Sequence, residues 1–248
     1  MIVFTEALII KKINYGDTSA IIRLFSRNYG KISIMIKGAR KSKKHIYNLC
    51  ESGNLINLHF YYSDKKTLYQ YKDIELIHSF PDIRLSIKKM GALFSIVEFI
   101  DKTMEDNIVD KLVFRLSYKV LEQIDHNNIN IEFYLCFFIW QLYRLLGILK
   151  DHQFCEQCQE KLDSIIIEDL SYLLLCKQCS QNSLIELNNN NYKYLQLLDN
   201  IHLKNINKQS MKQDMCIVVL DYLLYLGRIE IPNIHTIKSI KMFKNYTK

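Results

Sequence analysis

The sequence predicts an α+β chain of more than one domain. An OB-type β-barrel stands at the N-terminus, a helical bundle at the C-terminus, and a four-cysteine zinc ribbon is inserted into the bundle. Three observations lead there. Apolar residues recur with period two up to about residue 78 and with period 3.6 after Pro81. The formal net charge of +7 falls wholly on residues 1–80, which hold 13 Lys/Arg against 6 Asp/Glu, while the other 168 residues hold 20 of each. Two Cys-x-x-Cys pairs lie 17 residues apart in the second half.

The length of 248 residues accommodates two modest cores. We therefore expect a barrel domain over 1–80 and a helical domain over 81–248, with the insert at about 152–182. A composition 49% hydrophobic and 24% charged is that of a folded chain. The wealth of Ile, Lys, Asn and Tyr beside seven Gly and two Pro reads as the product of an AT-biased coding sequence. Such a bias raises lysine everywhere, so the informative quantity is where the charge sits. A basic first third points to a polyanion, with phosphate backbone the commonest and a membrane surface the competitor.

Each strand follows from its alternation. In DTSAIIRLFS and KISIMIKG, Ile32, Ile34 and Ile36 fall on one face and Ser33, Met35 and Lys37 on the other, and Gly30 in RNYGK turns the chain between them. A second pair, NLINLHFYYS and KTLYQYKDIEL, is joined by a polar turn near Ser63 to Lys66. About five short strands in under 80 residues suit a closed barrel better than an open sheet with exposed edges. An OB-type barrel binds single strands with cations on phosphates and aromatics under bases. Tyr61, Tyr62, Tyr69 and Tyr71 are candidates for that stacking, although their alternating positions favour packing in the wall or rim for most of them. Arg23, Arg27 and Lys31 flank the first hairpin, and IKGARKSKKH puts Lys37, Arg40, Lys41, Lys43 and Lys44 in the loop leaving the third strand; all eight are candidate DNA-binding residues. A cation run is most often only a solvated loop; beside a barrel mouth it is more informative.

Beyond Pro81, Leu93, Ile96, Val97 and Ile100 form one helical stripe and Val113, Leu116, Val120 and Ile124 another. Residues 131–149 are nearly long enough to span a bilayer, but Gln141 and Arg144 stand inside the stretch. A buried arginine there costs about 2.5 to 3.5 kcal/mol, so we expect a central bundle helix with Leu135, Phe138, Leu142, Leu145 and Leu149 on one face. Two more helices, around 190–203 and 211–226, complete the bundle, and the NNNN run at 188–191 reads as loop or helix start. MIVFTEAL has no cationic region ahead of its apolar residues, so we expect a cytosolic protein with reduced thiols.

Cys155 and Cys158 in CEQC and Cys176 and Cys179 in CKQC have the spacing of a four-thiolate zinc site. Four protein ligands leave no open position, so the ion is expected to be structural. His152 lies nearby but is superfluous to a filled shell, and Cys50, Cys136 and Cys216 read as ordinary buried or half-buried thiols. No GxxxxGK[ST], GxGxxG, HExxH or GxSxG occurs and the seven histidines are scattered, so a binding and scaffolding role is expected over an enzyme.

This order of parts resembles the bacterial recombination mediator family RecO. The resemblance is carried by YGDTSAIIRLFSRNYGKI at 15–32, KGAR at 37–40, YRLLG at 143–147 and the CEQC…LLLCKQC stretch at 155–179. It implies an N-terminal OB barrel, a helical domain and a zinc ribbon. It implies binding of single- and double-stranded DNA, annealing of strands coated with single-strand-binding protein, and cooperation with RecR in loading RecA. It also implies a cytoplasmic, nucleoid-associated place. Carried over by position, Arg23, Arg27, Lys37, Arg40, Lys41, Lys43 and Lys44 face DNA and the four cysteines hold zinc. The cations lean toward Lys, a point charge without the bidentate fork of Arg. A zinc-containing RNA-binding or transcription factor is the other reading of the same residues, and would discriminate through sequence or the 2′-hydroxyl.

Overall fold

A computed structural model describes residues 1–41, 46–149, 151–167, 173–181, 185–209, 213–231 and 239–240. The described residues group into two compact units. The first runs from Met1 to Asn128 and takes in Ser239 and Ile240; the second begins at Ile129 and holds the remainder through Ile231.

In the first unit five strands close into a barrel: β1 (Ile2–Tyr15), β2 (Ser19–Ser26), β3 (Gly30–Ile36), β4 (Leu55–Tyr61) and β5 (Leu68–His78), in the order β1-β2-β3-β5-β4 and back to β1. The β3–β5 contact is parallel and the other pairings are antiparallel. A short helix, α1 (Ile46–Leu49), precedes β4. Together these make an OB-type barrel, as the alternation predicts. Its core is the inward set of the period-two pattern: Ala7, Ile9, Ile22, Leu24, Ile32, Ile34, Ile36, Ile56, Leu58 and Phe60 are all buried. β1 closes the barrel because its first half pairs with β4 and its second half with β2. An irregularity between Ile9 and Lys11 bends it from one partner to the other, and Asn54 and Gly53 satisfy the Ile9 backbone there.

The helices α2 (Pro81–Arg84), α3 (Ile87–Thr103) and α4 (Lys111–His126) follow. Ser86 caps α3 by accepting from the Lys89 N–H, and Asp110 caps α4 by accepting from Leu112 and Val113. Leu93, Ile96, Val97 and Ile100 on α3 are buried, as are Val113, Val120 and Ile124 on α4, so both stripes face a core. By contact these three helices group with the barrel. The reason lies in specific ties. Phe25 meets Phe114 at a ring separation of 6.1 Å, Arg84 donates to the Ser52 carbonyl at 2.7 Å, and the Asn107 N–H donates to the Lys31 carbonyl at 3.0 Å.

The second unit is built on α5 (Ile131–Leu145), whose residues Ile131 through Trp140 are all buried; a helix apolar all round belongs at the centre of its unit. It ends sooner than the expected residue 149. Gly147 adopts a left-handed backbone with φ +70°, and the Ile148 N–H reaches the Tyr143 carbonyl at 2.9 Å, a Schellman stop that leaves Leu145 exposed. Three short strands follow, β6 (Ile165–Ile167), β7 (Leu174–Leu175) and β8 (Ile185–Leu187), forming a small sheet in the order β7-β6-β8. Then come α6 (Asn189–Asn200), a 3-10 turn at Leu203–Lys208, and α7 (Gln213–Glu230). The asparagine run is a helix start: the Asn188 side chain accepts from the Asn191 N–H. No helix among the described residues is long and apolar enough to cross a membrane.

Gly30 opens β3 with φ +67°, and a Cβ built on it would meet the Ile108 carbonyl oxygen at 2.2 Å. Gly38 has almost the same backbone, φ +66°, with nothing within 4 Å. The pair separates backbone strain from crowding. Left-handed strain alone costs about 1 to 2 kcal/mol, so Gly38→Ala is expected to lose that much. Gly30→Ala adds a clash with main chain and is expected to lose about 2 to 4 kcal/mol. Urea denaturation measures both, and equal midpoints for the two variants would refute the close approach.

Candidate nucleic-acid interface and candidate metal centre

The barrel presents its loop cations on a stitched turn. After β3 the chain turns at Gly38 into a 3-10 segment, Ala39–Lys41, with the Ala39 side chain buried against the barrel core. The Gly38 N–H donates to the Ser19 hydroxyl at 3.4 Å, the Arg40 N–H to the Thr18 carbonyl at 3.0 Å, and the Arg40 guanidinium to the Gly16 carbonyl. The turn after β3 is thus sewn to the turn between β1 and β2, and Lys37, Arg40 and Lys41 stand exposed upon it. Among the described residues none of the three has a carboxylate partner. Lys43 and Lys44, the other two cations of the run, lie outside the described residues.

The hairpin cations are placed differently. Arg27 pairs with Glu6 at 2.9 Å, both half-exposed. Arg23 reaches Asp101 at 3.0 Å through Nε and Asp106 at 2.9 Å through Nη2. Lys31 requires a correction: its side chain is only 5% exposed, its Nζ donates to the Asp101 carbonyl at 2.7 Å, and Asp106 lies at 3.6 Å. Burial and the neighbouring Arg23 lower its pKa, while Asp101 and Asp106 pull it back. Lys31 therefore serves the interior of its unit and is out of reach of a phosphate. Nothing local in the sequence reveals the acids that α3 and the following segment bring to it.

The barrel aromatics form a rim cluster. Tyr69 is 4% exposed, Tyr62 stacks on it with ring centres 5.5 Å apart, and Tyr29 meets Tyr62 at 5.2 Å and Phe60 at 5.3 Å. Tyr71 is half-buried against the same core. Of the four candidate tyrosines only Tyr61 is exposed, at 49%. Tyr15, the last residue of β1, is 56% exposed and was not singled out by its period. The signal for it was its place one residue before Gly16 in a hairpin turn.

In the second unit the four cysteines meet. Their sulfurs all lie within 4.8 Å of one another, with Cys158 and Cys176 at 3.8 Å. Four ligands about 2.3 Å from a tetrahedral ion would be separated by about 3.8 Å, so the donor set fits one metal ion. Two knuckles bring them together. In the first, the Gln159 N–H returns to the Cys155 carbonyl at 2.9 Å with Gln159 at φ +62°; in the second, the Cys179 N–H reaches the Cys176 carbonyl at 3.2 Å. The Glu156 N–H donates to the Leu174 carbonyl at 2.9 Å, which ties the first knuckle to the strand leading into the second.

The sulfurs carry the electrostatic mark of crowding. Burial pushes the Cys155 thiol up, but N–H groups of Cys158, Cys176 and Gln157 overcome it and hold the thiol down at about 6. Cys179 is pushed up to about 12, first by hydrogen bonding with Cys176 and then with Cys158. Four such groups ionise together only around a cation. His152 is not among the clustered ligands; its ring packs 5.1 Å from Trp140 and 5.7 Å from Tyr222.

Comparison with known proteins divides the chain near Pro81, where the period of its apolar residues changes. Residues 1–80 match the family model described as "Recombination protein O N terminal" and residues 84–233 match "Recombination protein O C terminal". The "DNA repair protein RecO" of Pelodictyon phaeoclathratiforme is 31% identical over 162 residues, 65% of this chain and 62% of that protein. That of Chloroherpeton thalassium is 30% identical over 155 residues, 62% of this chain and 60% of that protein. That of an Exiguobacterium species is 22% identical over 191 residues, 77% of this chain and 76% of that protein. The chain thus spans about three fifths of the length of the first two relatives, 62% and 60%. With both halves of one family matched in order along a barrel and a helical part, the chain belongs to the recombination protein O family, RecO.

Proposed function

We propose that this chain is a DNA repair and recombination mediator. In this reading it binds single- and double-stranded DNA, anneals strands coated with single-strand-binding protein and, with RecR, helps to load RecA. Family membership supports it, and the observation that carries the DNA-binding part is the stitched turn with Lys37, Arg40 and Lys41 exposed and free of carboxylates among the described residues. A surface that neutralises phosphates on two strands lowers their mutual repulsion and holds bases where pairing takes over. Pairing itself drives the exchange, so the protein acts without nucleotide hydrolysis and is not an enzyme. Its place is cytoplasmic, with the nucleoid. The helices carry the protein partners.

Zinc is the ion we assign to Cys155, Cys158, Cys176 and Cys179, because four thiolates in a tetrahedral set select it among common cytosolic metals. When bound it supplies cross-linking rather than reactivity, since every position is a protein sulfur. It would hold a sheet of strands only two or three residues long, far too small to fold on its own hydrophobic burial.

Changing Arg40, Lys41, Lys43 and Lys44 together to Glu is expected to abolish acceleration of annealing between complementary strands coated with single-strand-binding protein, with zinc content unchanged. The slope of log affinity for single strands against log salt should fall by about 3, as for four lost phosphate contacts. A variant that anneals like the wild type would remove the turn from the mechanism. A wild type that anneals nothing but prefers RNA of matched sequence would favour the RNA-binding alternative.

Lys31→Gln should behave oppositely, lowering stability by about 1.5 to 3 kcal/mol through loss of its charged hydrogen bond while leaving the salt slope intact. Urea titration and binding isotherms on the same preparation check both halves.

For the metal, elemental analysis should find one zinc per chain. Cys155→Ser or Cys179→Ser should lose it and melt the ribbon, as expected when metal binding contributes about 10 to 16 kcal/mol to folding. Zinc retained at full stoichiometry in both variants would refute the four-sulfur site.

A further inference from the structure

We propose that Tyr15 is a base-stacking platform for single-stranded nucleic acid, which makes the stitched turn a two-part site: phosphates on Lys37, Arg40 and Lys41, and one base on the Tyr15 ring. The inference rests on the nucleic-acid reading above and deepens it. Proteins that hold single strands without sequence preference pair a cationic track with aromatic faces. Cations alone would not distinguish a strand that offers bases from any other polyanion.

Tyr15 is the exposed ring that the fold ties to those cations. It ends β1, where it pairs with Ser19 across the hairpin. The Ser19 hydroxyl accepts from the Gly38 N–H, and the carbonyl of Gly16, the next residue, accepts from the Arg40 guanidinium. The backbone that carries the ring and the side chain that carries the charge are therefore fixed to each other. Tyr15 is 56% exposed, and among the described residues its ring makes no stacking contact and its hydroxyl no hydrogen bond. A tyrosine has two side-chain torsions, so little freedom is lost when a base settles on it.

The other rings are already engaged or badly placed. Tyr47, whose hydroxyl donates to the Asn14 side chain at 2.9 Å, already lies under the Lys12 ammonium at 3.6 Å. Tyr62 and Tyr69 stack on each other. Tyr61 is exposed on β4, between Ile2 of β1 and Gln70 of β5, and none of the hydrogen bonds that sew the stitched turn reaches its strand. Asp17 is the only acid in the Tyr15 turn, against three cations of the turn sewn to it, so the local charge favours a phosphate chain.

The test uses the zinc-loaded full chain and two labelled probes, a short oligothymidylate and an abasic strand of the same length, titrated over a range of salt. Tyr15→Ala is expected to weaken oligothymidylate binding by about tenfold, as for one lost stacked base, while abasic-strand affinity and the salt slope stay at wild-type values. Tyr15→Trp should retain the affinity. Equal losses on both probes would show that the ring acts through the fold and would overturn the proposal. So would unchanged oligothymidylate binding in Tyr15→Ala, or a base-dependent loss that appears in Tyr61→Ala instead. A wild type that binds neither probe in a salt-dependent way would overturn the nucleic-acid reading itself, and this inference with it.

Discussion

Lys11, Arg23 and Lys31 leave three different positions of the barrel wall and converge on Asp101, at the end of α3, and on Asp106 just beyond it. Everything else in the first unit is arranged around that convergence. A lysine as buried as Lys31 is costly unless opposite charge and hydrogen bonds surround it. Here the ammonium finds a main-chain carbonyl at 2.7 Å and two carboxylates within 4 Å. The helix end must therefore sit against the barrel for the barrel's own cation to be solvated. Gly30 has no side chain at the position where the segment after α3 crosses the β2–β3 turn, which is what allows the approach. Electrostatics and steric room thus enforce the same docking, and the helices after the barrel group with it rather than with α5.

That docking also divides the basic residues into two populations. Lys12 pairs with Glu51, Arg27 with Glu6, and the converging three with acids from beyond residue 100. What remains exposed and without a carboxylate partner among the described residues is a smaller set, Lys37, Arg40 and Lys41 on the turn after β3, Lys65 and Lys66 just before β5, and Lys72 within it. The positive excess of the first 80 residues is real, but part of it is neutralised by carboxylates that a window count assigns elsewhere. Charge asymmetry along a sequence locates a basic face only after the fold has delivered its acids.

The legible features were those fixed by short-range chemistry. Alternation in β2 and β3 reported which of Ile32, Ile34 and Ile36 point inward, because a strand's side chains have no third option. Helical stripes at 93–100 and 113–124 reported the buried faces of α3 and α4. The cysteine pairs reported a four-sulfur cluster because tetrahedral ligation restricts both the spacing within a pair and the chemistry of its members. The fates of Lys31 and Arg23 were not legible, since their partners lie some 70 to 80 residues away along the chain. Nor was the end of α5, where Gly147 overrides an apolar pattern that continues to Leu149. Exposure of Tyr15 depended on which of many tyrosines found neighbours in the folded rim.

The strand β1 belongs to both edges that close the barrel: Ile2 lies opposite Tyr61, while Tyr15 lies opposite Ser19. On a ribosome, the hairpin of β1 with β2 has its partner almost at once, whereas the first half of β1 must wait for β4 to emerge. The charge cluster waits longer still, for Asp101 and Asp106. Non-local pairings of this kind slow folding because the entropy of loop closure is lost before the contacts repay it. The nascent barrel thus exposes an unpaired, apolar β1 edge until β4 has been made, and the waiting period, more than the finished stability, is where this chain is vulnerable to mispairing.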